Sequence, residues 1–306
     1  MRVGIIFPGQ GTQSPGMGTA WRDLPAWDLI TRYEAGLQEQ LAPILLDATA
    51  EDLARTREAQ LAVLLTSLLA WETLRPRLAD VEVIAFAGHS LGQVTALIAS
   101  GALTLDDGVR LAATRAELTQ AAADARPGRM AALLGASPEQ ALEACAAAPD
   151  ACWVANDNAP GQVVVAGTPE GLEATSARAR EIGIRKVIPL NVGGAFHTPL
   201  MAQARDDLIL HLDKVTFRAP SAPVFSNTDA EAHADADEWR ERLAEHLVKT
   251  VRWRSCMEGI ATLDPDLCIE VGRGEMLAGL AKRTAPSVLV RGIATPDDIE
   301  TVLEVI

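Results

Sequence analysis

Five residues, Gly88-His89-Ser90-Leu91-Gly92, constrain the fold of this chain more than any other stretch. They follow directly on an apolar run, Val83–Ala87, that reads as a buried strand, and they precede a helical pattern carried by Val94, Leu97 and Ile98. Strand, tight turn and helix form the unit from which parallel α/β sheets are built. Glycines two positions either side of Ser90 leave room for the strained bend of a nucleophile elbow and for a substrate to approach it. Ser90 is thus expected at the carboxyl edge of the sheet. The helix behind it aims free N–H groups and the positive end of its dipole at the same point, which makes the Leu91 amide an oxyanion donor.

The rest of the chain supplies a frame for that turn. Val3–Phe7, closed by Pro8-Gly9, reads as another buried strand. Helical spacing covers roughly 25–41 and, more strongly, 59–78, and a further helix starts after Thr104 with Asp106 and Asp107 in its first turn. Between 127 and 192 the grain is finer. Met130–Leu134, Trp153–Ala155, Gln162–Ala166 and Lys186–Leu190 read as strands, with helices at Pro138–Ala148 and near 169–182. This β-α-β-β-α-β order predicts a small ferredoxin-like domain inserted into a larger α/β domain, which consists of residues 1–126 and 193–306.

Composition narrows the function. Lys and Arg number 27 against 41 Asp and Glu, a net charge of −14, which disfavours nucleic acid and anionic membrane surfaces as partners. Four cysteines (Cys145, Cys152, Cys256, Cys268) at irregular spacing form neither a disulfide framework nor a zinc-ligand pattern, so no metal is expected and a reducing compartment is. The apolar opening breaks at Pro8-Gly9, too soon for a signal peptide, and the longest apolar stretch, Leu61–Trp71, is shorter than the roughly 20 residues that span a bilayer. A cytoplasmic protein is expected, and nothing demands more than a monomer.

A serine nucleophile needs a base. Of five histidines, His233 lies in the polar run Asp229–Glu238 and reads as a solvated loop residue, and His211 as a helix-surface residue. His89 sits on the elbow but points away from Ser90. His197 follows Gly193-Gly194-Ala195-Phe196 at a strand's end, where it is either the base or a loop-capping histidine.

Four motifs occur in order: Phe7-Pro8-Gly9-Gln10-Gly11-Thr12-Gln13, the elbow, Asn156-Asp157-Asn158-Ala159-Pro160-Gly161-Gln162, and Gly194-Ala195-Phe196-His197-Thr198. Together they resemble the malonyl-CoA:acyl carrier protein transacylase family of fatty acid synthesis, related to the acyltransferase domains of polyketide synthases. The resemblance spans essentially the whole chain and implies an α/β-hydrolase-like large domain with a parallel sheet. It implies Ser90 as the acyl-carrying residue, His197 as its base, and the main-chain carbonyl of His246 in the place of a third acid. It also implies the Gln10 and Leu91 amides as the oxyanion hole. Arg115 matches the family's selector for the malonyl carboxylate, with Gln60, Asn158 and Phe196 also binding substrate. A planar guanidinium suits a free carboxylate, and its isolation without one rejects acetyl. Phe196 crowds out a methyl branch.

The resemblance further implies malonyl-CoA and acyl carrier protein as substrates, with no cofactor. Because the carrier is acidic and so is this chain, docking falls to a local basic rim, Arg185-Lys186 and Lys282-Arg283. The chain departs from the family at Gln93 (commonly Glu), at Leu61 (commonly Pro) and at Gly272-Arg273-Gly274-Glu275 (commonly Gly-Pro-Gly-Lys). Rival readings are a serine hydrolase or thioesterase, for which the third acid and an HGGG-type loop are missing, and a non-catalytic carrier-binding scaffold. A stand-alone polyketide acyltransferase or a malonate decarboxylase subunit would share the motifs.

Overall fold

A computed structural model describes residues 1–37 and 39–306. Among the described residues ten strands form two sheets. The larger sheet runs β10 (Val290–Ile293), β9 (Leu267–Val271), β1 (Arg2–Phe7), β2 (Glu82–Gly88), β7 (Val224–Phe225), β8 (Ala232–His233). All its pairings are parallel except β7 with β8. The central strands are continuous apolar runs because helices cover both faces. β1 is buried from Val3 to Phe7, and β9 is buried throughout.

Helix Thr56–Leu74, with Trp71 edge-on to both Phe7 and Phe86, is buried along most of its length, which explains why its sequence is apolar nearly all round. Helix Leu105–Ala125 packs beside it, capped by the Thr104 side chain on the Asp107 N–H. No described helix is long and apolar enough to cross a membrane.

Register positions the site. Phe7 pairs with Gly88, so β1 and β2 end side by side, and the Gly9–Gly11 loop and the Ser90 turn leave the sheet at one edge. In open parallel sheets ligands bind outside the carboxyl ends of the strands.

The second sheet is antiparallel, in the order β4 (Cys152–Ala159), β5 (Gln162–Gly167), β3 (Arg129–Leu134), β6 (Lys186–Pro189). Helices Pro138–Cys145 and Pro169–Glu181 cover one face. The other face turns Met130, Ala132 and Val164 toward Ala195 and Phe196.

Two expectations change. β4 does not stop at Ala155. It continues to Ala159 because Asn156, Asp157 and Ala159 pair with β5 while Asn156 also bridges to Val251, so the asparagine motif spans the end of β4, the Pro160-Gly161 turn and the start of β5. His233 is not a solvated loop residue. It pairs with Val224 in β8, lies edge-on to Trp239 and sits 3.2 Å from the Asp229 carboxylate.

Candidate active site

The elbow is built by steric necessity. A Cβ on Gly88 would stand 1.9 Å from the Gly92 carbonyl, and one on Gly92 would stand 2.2 Å from the Phe7 oxygen, so no side chain fits at either position. Between them Ser90 adopts φ 52°, a left-handed conformation that costs a non-glycine residue about 1–3 kcal/mol and persists only where its surroundings enforce it. His197 is held the same way at φ 61°.

These two strained residues face each other. Ser90 Oγ lies 2.8 Å from His197 Nε2, and His197 Nδ1 lies 2.8 Å from the main-chain oxygen of His246. A carbonyl only accepts, so the proton sits on Nδ1 and the bare Nε2 faces the serine hydroxyl. Burial, followed by the Arg115 charge, pushes the His197 imidazolium down to about 3, although the His246 hydrogen bond acts in the opposite direction. The imidazole is therefore neutral over the physiological range, with Nε2 able to accept a proton. His246 is itself buried and its ring is held neutral, first by desolvation and then by His197.

Arg115 comes from helix Leu105–Ala125 and is only 6 % exposed. It donates from Nη1 to Gln60 Oε1, and Nη2 reaches Ser90 Oγ at 3.3 Å. Gln60 in turn donates to Thr119 Oγ1 at 3.0 Å. No carboxylate pairs with this guanidinium among the described residues, and burial lowers it to about 10. A buried cation without a counter-ion is an invitation to an anionic ligand.

All of this opens into one cavity of about 490 Å³. Gln10, Gln60, Leu91, Asn158 and Phe196 line it with Ser90 and His197. Neither the Gln10 nor the Leu91 amide has a protein acceptor among the described residues. Asn158 accepts a hydrogen bond at Oδ1 from His89 Nε2 at 2.8 Å; desolvation holds the buried His89 below its ordinary value, hence neutral. The strand alternation that aims Asn156 and Asn158 into the cavity turns Asp157 outward to Arg254 at 2.8 Å.

None of the four basic residues lines the cavity, but Arg283 borders it through Gln162, which does. Arg185, Lys186, Lys282 and Arg283 are all exposed. Leu134 pairs with both Gln162 and Lys186, and Arg283 donates to Gln162 Oε1, so both basic pairs come to one end of the small sheet. Among the described residues no cluster of three or more His, Cys, Asp or Glu is arranged to hold a metal.

Two buried residues escaped the sequence reading. Glu270 accepts the Leu277 and Ala278 N–H groups at 3.1 and 2.8 Å, and burial raises its carboxyl to about 7. It thereby fixes the start of the helix whose Met276 lines the cavity. Its only signal is a lone acid within the apolar run Leu267–Val271. Asn227 bonds to the elbow itself and is marked in the sequence only by the polar stretch Ser226–Asp229.

Comparison with known proteins places this architecture. The family model described as an acyl transferase domain matches residues 5–296. The malonyl CoA-acyl carrier protein transacylase of Bacillus subtilis is 33% identical over 308 residues, covering 99% of this chain and 96% of the relative. A crystal structure of malonyl-CoA:acyl carrier protein transacylase from Xanthomonas oryzae pv. oryzae superposes with TM-score 0.93 at 35% identity, covering 99% of this chain and 97% of that one. A malonyl-transacylase in complex with its type II polyketide acyl-carrier protein superposes with TM-score 0.93 at 29% identity, covering 99% of each chain.

Proposed function

The chain belongs to the acyl transferase domain family, and from that premise we propose that it carries a malonyl group from malonyl-CoA to the phosphopantetheine thiol of an acyl carrier protein through a malonyl-serine intermediate. The observation that carries this reading is the hydrogen-bonded array His246 oxygen, His197 ring, Ser90 hydroxyl and Arg115 guanidinium, the last three lining one cavity.

The reaction follows from that array. His197 Nε2 takes the Ser90 proton, Ser90 Oγ attacks the thioester carbon, and the Gln10 and Leu91 amides hold the oxyanion. The C–S bond breaks and the departing CoA sulfur collects the proton from His197. The carrier's thiol then gives its proton to His197 and attacks the acyl-serine carbon. The C–O bond breaks, the proton returns to Ser90 and the malonyl thioester leaves. Arg115 pairs with the malonyl carboxylate throughout, with Gln60, Asn158 and Phe196 shaping the rest of the pocket. No cofactor enters any step.

The finer architecture belongs to the same reading. The small sheet, built from residues within 127–192, has the strand order of a ferredoxin-like domain, and the remainder, 1–126 and 193–306, is read as the hydrolase-like catalytic domain. The rim of Arg185, Lys186, Lys282 and Arg283 is the carrier's docking surface, and the enzyme acts as a cytoplasmic monomer. The complex with a polyketide carrier keeps polyketide synthesis as a second destination for the product.

Incubation with malonyl-CoA followed by intact-mass measurement tests the reaction. A malonyl adduct that disappears in Ser90→Ala and is discharged by carrier protein is the expected result. Rapid release of free malonate without carrier would make the protein a hydrolase, and no adduct would leave a scaffold. A panel of fatty acid and polyketide carriers as acceptors then separates the two destinations.

A further inference from the structure

Ser90 holds its left-handed turn at the point where the sheet runs out. Strand β7 is only two residues long, and its backbone pairing with β2 is limited to Phe86 opposite Val224, with the Phe86 N–H donating to the Pro223 oxygen at 2.8 Å. Two residues beyond β7, Asn227 is completely buried. Its Nδ2 donates to the Gly88 oxygen at 2.9 Å and its Oδ1 accepts the Ser90 N–H at 2.9 Å. In a parallel ladder one residue donates its N–H to the carbonyl before its opposite number and accepts the N–H after it. The Asn227 side chain does both around His89.

We propose that Asn227 is a positioning residue whose side-chain amide replaces the missing strand backbone beside the elbow and so fixes the Ser90 peptide for attack. The inference rests on Ser90 being the nucleophile. On the other side of the turn the His89 N–H donates to the Phe7 oxygen at 3.0 Å, so the elbow is laced to β1 by backbone and to Asn227 by a side chain. Asn227 is itself fixed: its N–H donates to Gln93 Oε1 at 2.6 Å and its carbonyl accepts from the Arg252 N–H at 3.0 Å. Gln93 lies on the helix that follows the elbow, so strand end, nucleophile and helix are tied through one residue. Because the Ser90 N–H is spent on Asn227, the next amide, Leu91, is left free to face the cavity.

The function of such a residue shows in kcat rather than KM, since it touches Ser90 and no substrate. Asn227→Ala is expected to fold, to bind malonyl-CoA with KM within about twofold of wild type, and to lose about 10²-fold in kcat as the hydroxyl drifts from its attack geometry. Unchanged kcat, or a loss carried by KM alone, overturns the proposal.

Asn227→Asp tests it independently of folding losses in the alanine variant. A protonated carboxyl has one donor and one acceptor and reproduces the amide's pattern, whereas the ionised form turns an oxygen against the Gly88 carbonyl. Burial raises the pKa of such a group, so the ratio of Asn227→Asp to wild-type kcat should climb as pH falls from about 8 to about 5. A ratio that is flat with pH overturns the proposal. The wild-type malonyl adduct on Ser90 is measured alongside. Its absence overturns the nucleophile reading and this one with it, whereas an adduct together with an unaffected Asn227→Ala overturns this one alone.

Discussion

Two arginines sit on the same pair of helices, and only one of them has a carboxylate. Arg57, on helix Thr56–Leu74, meets Glu39 at 2.6 Å and also faces Glu58 and Glu117, the last across on helix Leu105–Ala125. Arg115 is the mirror case, reaching from helix Leu105–Ala125 back to Gln60. Partial burial pulls Arg57 down, but hydrogen bonds and charge from Glu39 outweigh it and its pKa ends above the ordinary value. Arg115, buried and facing an amide, is lowered to about 10. The difference separates an arginine already paired with carboxylates of its own chain from one whose buried charge has no resident counter-ion.

Removing the reserved charge should have the largest effect. Breaking a buried ion pair by deleting one partner costs about 3–5 kcal/mol, so Arg115→Ala is expected to cut malonyl transfer about 10²–10⁴-fold. Acetyl transfer, which never forms the pair, should change by less than about tenfold. Kinetics on both thioesters check this, and equal losses on the two would end the selector role. Gln60→Glu breaks the comparison from the other side by giving Arg115 the resident carboxylate that Arg57 already has. Malonyl transfer should then fall by about tenfold or more as the two carboxylates compete, with the acetyl-to-malonyl ratio rising.

How far the sequence reaches is also visible in these residues. The elbow was legible because glycine is the only solution to its crowding, and both strand and helix flank it. The His197–His246 pairing, in contrast, joins residues 49 apart through a main-chain oxygen, which carries no side-chain signature; only the family resemblance pointed to it. β4 runs past Ala155, where the apolar pattern ends, because cross-strand pairing on both sides overrides the weak strand preference of Asn and Asp. His233 was misjudged for the same reason, its polar neighbours hiding a partner, Trp239, several residues on. The polar stretch around Asn227 does not reveal its role, because a side chain that imitates backbone can be recognised only once the strands are laid side by side.

A smaller effect concerns pH. The Arg115 charge is second only to burial in holding His197 down at about 3. When a malonyl carboxylate neutralises that charge, the imidazole becomes easier to protonate. The acid limb of kcat, which reports the occupied enzyme, should therefore lie at higher pH than that of kcat/KM, which reports the free enzyme. The gap should be seen with malonyl-CoA and vanish with acetyl-CoA. The same depressed value fixes the sign for stability. Between the unfolded value of about 6.5 and the folded one, the unfolded chain binds the extra proton, so His197 makes the protein less stable as pH falls through that window. Denaturant midpoints measured across it should fall more steeply with falling pH for wild type than for His197→Gln.

The smallest expected effect belongs to the paired arginine. The Arg57 side chain is 20% exposed, so solvent screens its ion pairs and side-chain entropy offsets part of their attraction. Arg57→Ala should cost no more than about 1 kcal/mol of stability. Its distance from the chemistry is functional as well as spatial: Arg57 contacts carboxylates of its own chain and does not line the cavity. Malonyl and acetyl transfer by the variant should both stay within about twofold of wild type. Chemical denaturation and paired thioester kinetics on the one variant decide the matter. If Arg57→Ala shifted the malonyl-to-acetyl ratio as Arg115→Ala is expected to, a resident carboxylate would not be what distinguishes a structural arginine from a selecting one.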